Sequence, residues 1–210
     1  DVVEAILPIA LHLLRGQLGE AGRLILFDPN LQSNEAYASR IKSVSGVETP
    51  DANEFDKILA ELNDELKSRS EGGESRSGIF VIVPSLHRIK KLRFEEDFSF
   101  SMDEEDVVKP ATVFNDLICE GPSWGIHIIT SLDSLNNVNR CLGRKAVGEF
   151  EKKVLFQMSA TDSASLIDSG AAAGLGLSRA AFYDESTEVV EIFRPYAEVP
   201  LSWWERHSGR

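Results

Sequence analysis

Apolar and polar residues fall along this chain in blocks. Val2 to Arg15 is apolar almost all round, which predicts a buried helix with Pro8 admitted near its start or at a kink. Gly16 to Gly22 predicts a turn, and Arg23-Leu24-Ile25-Leu26-Phe27 a strand ending at Asp28-Pro29-Asn30. Asp51 or Asn53 can cap the next helix, which runs to about Ser68 with Phe55, Ile58, Leu59, Leu62 and Leu66 on one face. Ser68 to Gly78 is rich in Ser, Gly and Glu and reads as a loop. Ile79-Phe80-Val81-Ile82-Val83 is short and largely β-branched, the pattern of a buried parallel strand, and it runs into a basic segment from Leu86 to Lys91.

Beyond it lies an acidic, Phe-containing insertion from about Phe94 to Val108. Pro110 opens a helix that continues to about Glu120. Gly121-Pro122-Ser123 breaks it, and Gly125 to Thr130 is another strand. Val138 to Leu142 reads as helical, Lys153 to Met158 as a strand, and Ala160 to Asp168 as a short helix before the small-residue run Gly170 to Gly176. Ala180 to Tyr183 and Glu188 to Phe193 are expected to pair as a hairpin. The alternation predicts the α/β class, a mostly parallel sheet with helices on both faces. No repeat or linker divides residues 1–210, so a single domain is expected, and an opening inside a helical pattern at Asp1 reads as a piece of a longer chain.

Composition narrows the functional classes. With 210 residues, 42% hydrophobic and 27% charged, the chain can bury a sizeable core. Its longest apolar stretch is interrupted by Glu4, Pro8 and His12 and is too short for a membrane span, and no leader pattern opens it, so a cytoplasmic location is expected. The formal net charge of −12 excludes a broad nucleic-acid platform and confines any DNA contact to a few loops. The acids gather partly in Glu95-Glu96-Asp97 and Asp103-Glu104-Glu105-Asp106, either a solvated loop or a docking surface for a basic partner.

Few residues carry the spacing that chemistry requires. Cys119 and Cys141 lack metal spacing, as do His12, His87, His127 and His207, so structural roles are expected for them. Asp28 ends a strand without a preceding G-x-G-x-x-G, which removes the dinucleotide reading. Gly170, Gly174 and Gly176 follow a helix and precede a strand, so they form a turn and not an anion-binding helix start. Arg88, Lys90, Lys91 and Arg93 form the one basic run, a solvated face or a contact with the phosphate of a nucleotide or DNA. Trp203-Trp204 reads as a packing anchor or an interface.

Taken in order, the segments RLILFDPNLQ, IFVIVPSLHR, GPSWGIHIITSLDS, VLFQMSATDSASLIDSGAAAGLGLSRAAFY and EIFRPY resemble the motor domain of the FtsK/SpoIIIE group of DNA translocases, a branch of the FtsK–HerA ring ATPases. The resemblance spans about Val2 to Tyr196 and implies a RecA-like P-loop NTPase core, ATP and Mg²⁺ as cofactors, and a ring-forming motor that moves DNA. It also implies what is missing. The phosphate-cradling G-x-x-x-x-G-K-[ST] is absent and would fall upstream of residue 1. Pro84 and Ser85 occupy the position of the family's Asp-Glu pair, which holds Mg²⁺ and activates water. Thr130 and Ser131 stand in the sensor segment, where their hydroxyls can meet nucleotide or satisfy a strand end. Asp162-Ser163-Ala164 replaces Asp-Ser-Arg and loses the arginine that would reach a neighbouring subunit's nucleotide. Two readings remain: an ATPase module of a DNA-translocating ring, or a non-hydrolysing structural or partner-binding module of a multi-module motor such as a type VII secretion-like ATPase. Each implies self-association or contact with other modules of the same parent, with DNA or protein as cargo.

Overall fold

A computed structural model describes residues 2–19, 21–72, 77–94, 109–195, 200, 202, 203 and 206. The acidic clusters between 95 and 106, together with Tyr196, Trp204 and His207, lie outside the described residues. The chain divides into two compact units, 1–147 with 198–210, and 148–197.

The larger unit is built on a four-stranded, all-parallel sheet in the order β2-β1-β3-β4. Its strands are β1 (Arg23–Leu26), β2 (Val47–Glu48), β3 (Ile79–Val83) and β4 (Ile126–Thr130). Alternation along β1 sends Leu24 and Leu26 to one face of the sheet. There they join Leu7 and Leu11 of α1 (Val2–Leu18) and Tyr37 and Ile41 of α2 (Glu35–Lys42) in one buried cluster. Phe27, just past β1, stacks edge-on against Phe55 at the start of α3 (Phe55–Ser70), with ring centroids 4.7 Å apart. Helices therefore cover both faces, as the pattern predicts.

Three local differences from the sequence reading have physical causes. α1 is one-sided and not buried all round: Leu7, Leu11, Leu14 and Leu18 follow a helical stripe inward while Leu13 is 61% exposed. α3 continues to Ser70 because Arg69 is drawn into the interior. α2 and β2 were not anticipated. Asn34 starts α2 by accepting the Tyr37 N–H through its side chain (3.2 Å), and Tyr37 and Ile41 supply its only buried turn. In the turn just ahead of α3, the Asp51 carboxylate accepts the N–H groups of Asn53 and Glu54 while Glu54 Oε2 accepts that of Asp51; Glu54 itself is the N-cap and makes no side-chain cap bond to the helix.

Between β3 and β4 run two short 3₁₀ turns, Leu86–Arg88 and Lys90–Leu92, and then α4 (Pro110–Glu120), with Pro110 in its first turn as expected. Gly125 takes a left-handed φ of 76° to turn the chain into β4, a conformation that disfavours any side chain. α5 (Leu135–Cys141) and α6 (Arg144–Gly148) follow.

The smaller unit holds an antiparallel sheet in the order β5-β6-β7, from Lys152–Leu155, Ala180–Asp184 and Val189–Phe193. The expected hairpin is β6–β7. One face of the sheet packs on α7 (Ala160–Ile167) and the 3₁₀ turn Gly170–Gly174 through Leu155, Ala181, Tyr183, Ile167 and Ala172.

Tyr37 carries a testable pH signature. Its hydroxyl donates to Asp28 Oδ2 at 2.6 Å, and burial first, then that hydrogen bond, raise its pKa well above the usual phenol value. A proton held more tightly in the native state gives stability that is complete below about pH 10 and is lost as pH rises beyond it. Urea midpoints measured from pH 9 to 11.5 are expected to fall for the natural chain and to fall less for Tyr37→Phe. Equal slopes would sink the assignment.

Candidate functional site

In open α/β sheets, ligands bind outside the carboxyl ends of the strands. Here those ends bring together Asp28 and Asn30 after β1, Pro84 and Ser85 after β3, and Thr130 and Ser131 at β4. The parallel register pairs Val83 with Thr130, so the last two positions meet across adjacent strands.

The two strand ends are stitched together. Thr130 donates its hydroxyl to the Val83 carbonyl at 2.8 Å. The Ser85 N–H donates to Ser131 Oγ at 3.0 Å, and the Leu86 N–H to the Ser131 carbonyl at 3.0 Å. Both hydroxyls thus satisfy strand-end backbone groups that would otherwise be left without partners. Pro84 is buried, and Ser85 sits in the left-handed region with φ 53°.

The nearby carboxylates are also engaged. Asp28 accepts the Asn30 N–H at 2.8 Å and the Tyr37 hydroxyl. Asp133 accepts from Asn137 Nδ2 at 2.6 Å and the Ser134 hydroxyl at 3.0 Å, with His87 Nε2 at 3.4 Å. These contacts, the Asn137 bond foremost, hold the Asp133 carboxyl below the usual range. Position 84–85 offers no charged oxygen for Mg²⁺, which takes carboxylate and phosphate oxygens. Among the described residues, no group of three His, Cys, Asp or Glu side chains could hold a metal ion. The donor set at the β3 end does not fit a magnesium-assisted site.

Of the basic run, only Arg88 is seen to reach these strand ends among the described residues. Arg88 turns back and donates to Asn30 Oδ1, Lys90 is exposed, and Lys91 pairs with Asp56 at 2.6 Å. In the smaller unit Ala164 is exposed on α7. Its neighbour Ser163 is fully buried, donating to the Ser169 carbonyl at 2.5 Å and accepting the Ala172 N–H at 3.2 Å. That role accounts for a serine there by packing alone. His12 packs edge-on against Trp203 at 5.8 Å and His127 lies against Phe80 at 4.9 Å. Sequence reasoning overlooked Asn30 and Tyr37, whose signal was a polar Asp-Pro-Asn strand end followed at short range by an aromatic residue.

No family model matches the chain, and no curated protein matches it in sequence. Solved structures do. The genome packaging NTPase B204 from Sulfolobus turreted icosahedral virus 2, in complex with ATP-gammaS, superposes with a TM-score of 0.59 at 15% identity, over 91% of this chain and 90% of that one. The same NTPase in complex with AMP gives 0.56 at 15% identity over 89% and 88%. The cytoplasmic domain of the Thermomonospora curvata type VII secretion ATPase EccC gives 0.55 at 13% identity, covering 92% of this chain and 24% of that one. At these identities the likeness establishes the fold. The α/β core with its all-parallel sheet has the RecA-like fold of these NTPases, the fold that the motif order led one to expect.

Proposed function

We propose that this chain is an FtsK-like NTPase module that serves a larger assembly structurally, by binding other modules or a partner, and does not itself hydrolyse ATP. The observation that carries the reading is the end of β3. A buried proline and a left-handed serine stand there, and the adjoining hydroxyls of Thr130 and Ser131 are committed to backbone. Phosphoryl transfer needs a metal-holding acid and a group that orients water, and each is worth orders of magnitude in rate. Ala164 in place of an arginine removes a further contribution of that kind. Neighbours whose structures are in complex with ATP-gammaS and AMP support nucleotide as the ligand class of the fold. The coverage of EccC, where this chain matches about a quarter of the neighbour, supports a module within a longer motor. Among the described residues no helix is long and apolar enough to cross a membrane.

Phosphate release from ATP, with and without Mg²⁺, tests the reading. The expected result is no turnover above the buffer blank in either condition. Magnesium-dependent release that scales with protein concentration would overturn it and return the chain to the translocating-motor reading. A salt titration of duplex DNA binding separates cargo types: with a net charge of −12, weak binding without sequence preference is expected, lost by physiological salt.

A further inference from the structure

The smaller sheet has one face that its own unit leaves open. α7 and the turn after it pack on the face that carries Leu155, Ala181 and Tyr183. The register sends the alternate residues to the opposite face, where Val154 lies beside Phe182 and Glu191, and Val189 and Phe193 flank Glu191 along β7. Val154, Val189 and Phe193 are between 39% and 51% exposed, and Phe156, just past β5, is exposed as well. Single apolar residues at a surface need no explanation. Several on adjacent strands of one face mark an interaction site.

Charge narrows the partner. The Glu191 carboxylate forms no hydrogen bond or ion pair among the described residues. The other two charges of this face, Lys152 and Asp184, neutralise each other at 2.6 Å. Residues 148–197 hold eight acids against four basic residues, which leaves a formal charge of −4. The two of them outside the described residues, Tyr196 and Ala197, are uncharged. A second copy on this face would bring two units of the same sign together around unpaired Glu191 carboxylates. An anionic lipid surface attracts basic segments and repels this one. A partner with cations beside an apolar stripe meets neither obstacle.

We propose that this face binds one basic amphipathic helix of a partner polypeptide, its apolar stripe on Val154, Phe182 and Phe193 and a lysine or arginine at Glu191. Three strands about 4.8 Å apart make a face about 10 Å across, the width of one helix. Five residues of strand give about 17 Å of length, which about three helical turns cover. Helices cover sheet faces in layered α/β architectures, and α7 already covers the other side. The surface gives the partner-binding half of the proposed function its partner and rests on that reading. No strand-end residue of the larger unit takes part, so hydrolysis and this contact are tested separately.

Amide shifts in two-dimensional NMR of the 210-residue chain test it. The probes are a three-turn amphipathic peptide of leucine and lysine, its leucine–glutamate counterpart, and phosphatidylcholine vesicles carrying one-fifth phosphatidylserine. Shifts centred on Val154, Phe182, Glu191 and Phe193 are expected with the leucine–lysine peptide alone. Glu191→Lys is expected to weaken its binding at least fivefold and Phe193→Ser at least tenfold. Glu149→Lys, the same charge change ahead of β5, is expected to stay within twofold. Glu191→Gln and Val189→Ser, each with an unaltered thermal melt, repeat the two tests should the first variants fold poorly. Unmoved amides on this face, shifts centred elsewhere, equal affinity for the leucine–glutamate peptide, or unaltered binding in these variants would overturn the site. Shifts at these residues with vesicles, or with protein concentration alone, would assign the face to a membrane or a second copy and overturn it too. Phosphate release does not enter these readouts, so a failed titration removes this surface without touching the absence of turnover.

Discussion

Arg69→Met is expected to destabilise the larger unit by about 3–5 kcal/mol, the cost of breaking a buried charged network from one side. Arg69 is only 4% exposed, and its guanidinium serves three segments at once. Nε donates to Glu65 at 2.9 Å one turn earlier, Nη1 to the Trp124 carbonyl at 2.7 Å, and Nη2 to the Ser77 carbonyl at 3.2 Å. Trp124 precedes β4 and Ser77 precedes β3, so one side chain on α3 sets the entry of both strands. Methionine fills a similar volume and removes every donor. It takes from two carbonyls and a largely covered Glu65 carboxylate the donors that Arg69 supplies. A fall in melting temperature of about 10 °C follows for a chain of this length. Glu65→Gln, which keeps an acceptor for Nε, is expected to cost about 1 kcal/mol. A melting shift under 2 °C for Arg69→Met would show that the carbonyls find other partners.

The second large effect lies in the smaller unit. Ser163→Ala removes a hydroxyl that both donates to Ser169 and accepts from Ala172, joining α7 to the turn that follows it. With the site fully buried, water cannot replace either bond, and about 2–3 kcal/mol is expected to be lost. The damage should be local. Amide exchange at Ala172 is expected to accelerate by roughly 30- to 160-fold, the same energy read as a population of open states. Exchange in β1 and β3 should stay unchanged. Unchanged exchange at Ala172 would remove Ser163 from this role.

What could be read from the sequence was whatever repeats. β3 was visible because a strand buried on both faces is apolar throughout, β4 because Ile126, Ile128 and Ile129 form a β-branched run behind the Gly125 turn, and α4 because Pro110 marks a helix start. α2 was missed because only Tyr37 and Ile41 are buried in it and a polar cap starts it, too few apolar positions for a period to emerge. β2 has two residues, below any pattern length, and the fork of Arg23 on Glu48 (2.9 and 2.8 Å) accompanies its pairing with β1. At the strand ends, the missing acids were legible residue by residue. The use made of Thr130 and Ser131 was not, because it depends on register between segments 46 residues apart. The basic run was visible as a run. Its division, with Arg88 going to Asn30, Lys91 to Asp56 and Arg93 to a cavity shared with Lys109, arises only when two 3₁₀ turns rotate successive side chains apart.

The left-handed backbone at Ser85 reaches further than the loss of a charge. An L-residue held there costs about 1 kcal/mol relative to its preferred conformations. A side chain leaving that backbone departs in a different direction from one continuing the strand. Putting an acid at 85 would supply a charge without the aim, so Ser85→Glu alone is expected to leave turnover at background. Aiming such an acid along the strand also requires a change in the Pro84–Ser85 turn and its tie to Ser131. Charge and backbone at this turn are thus coupled, and a substitution that alters one leaves the other in place.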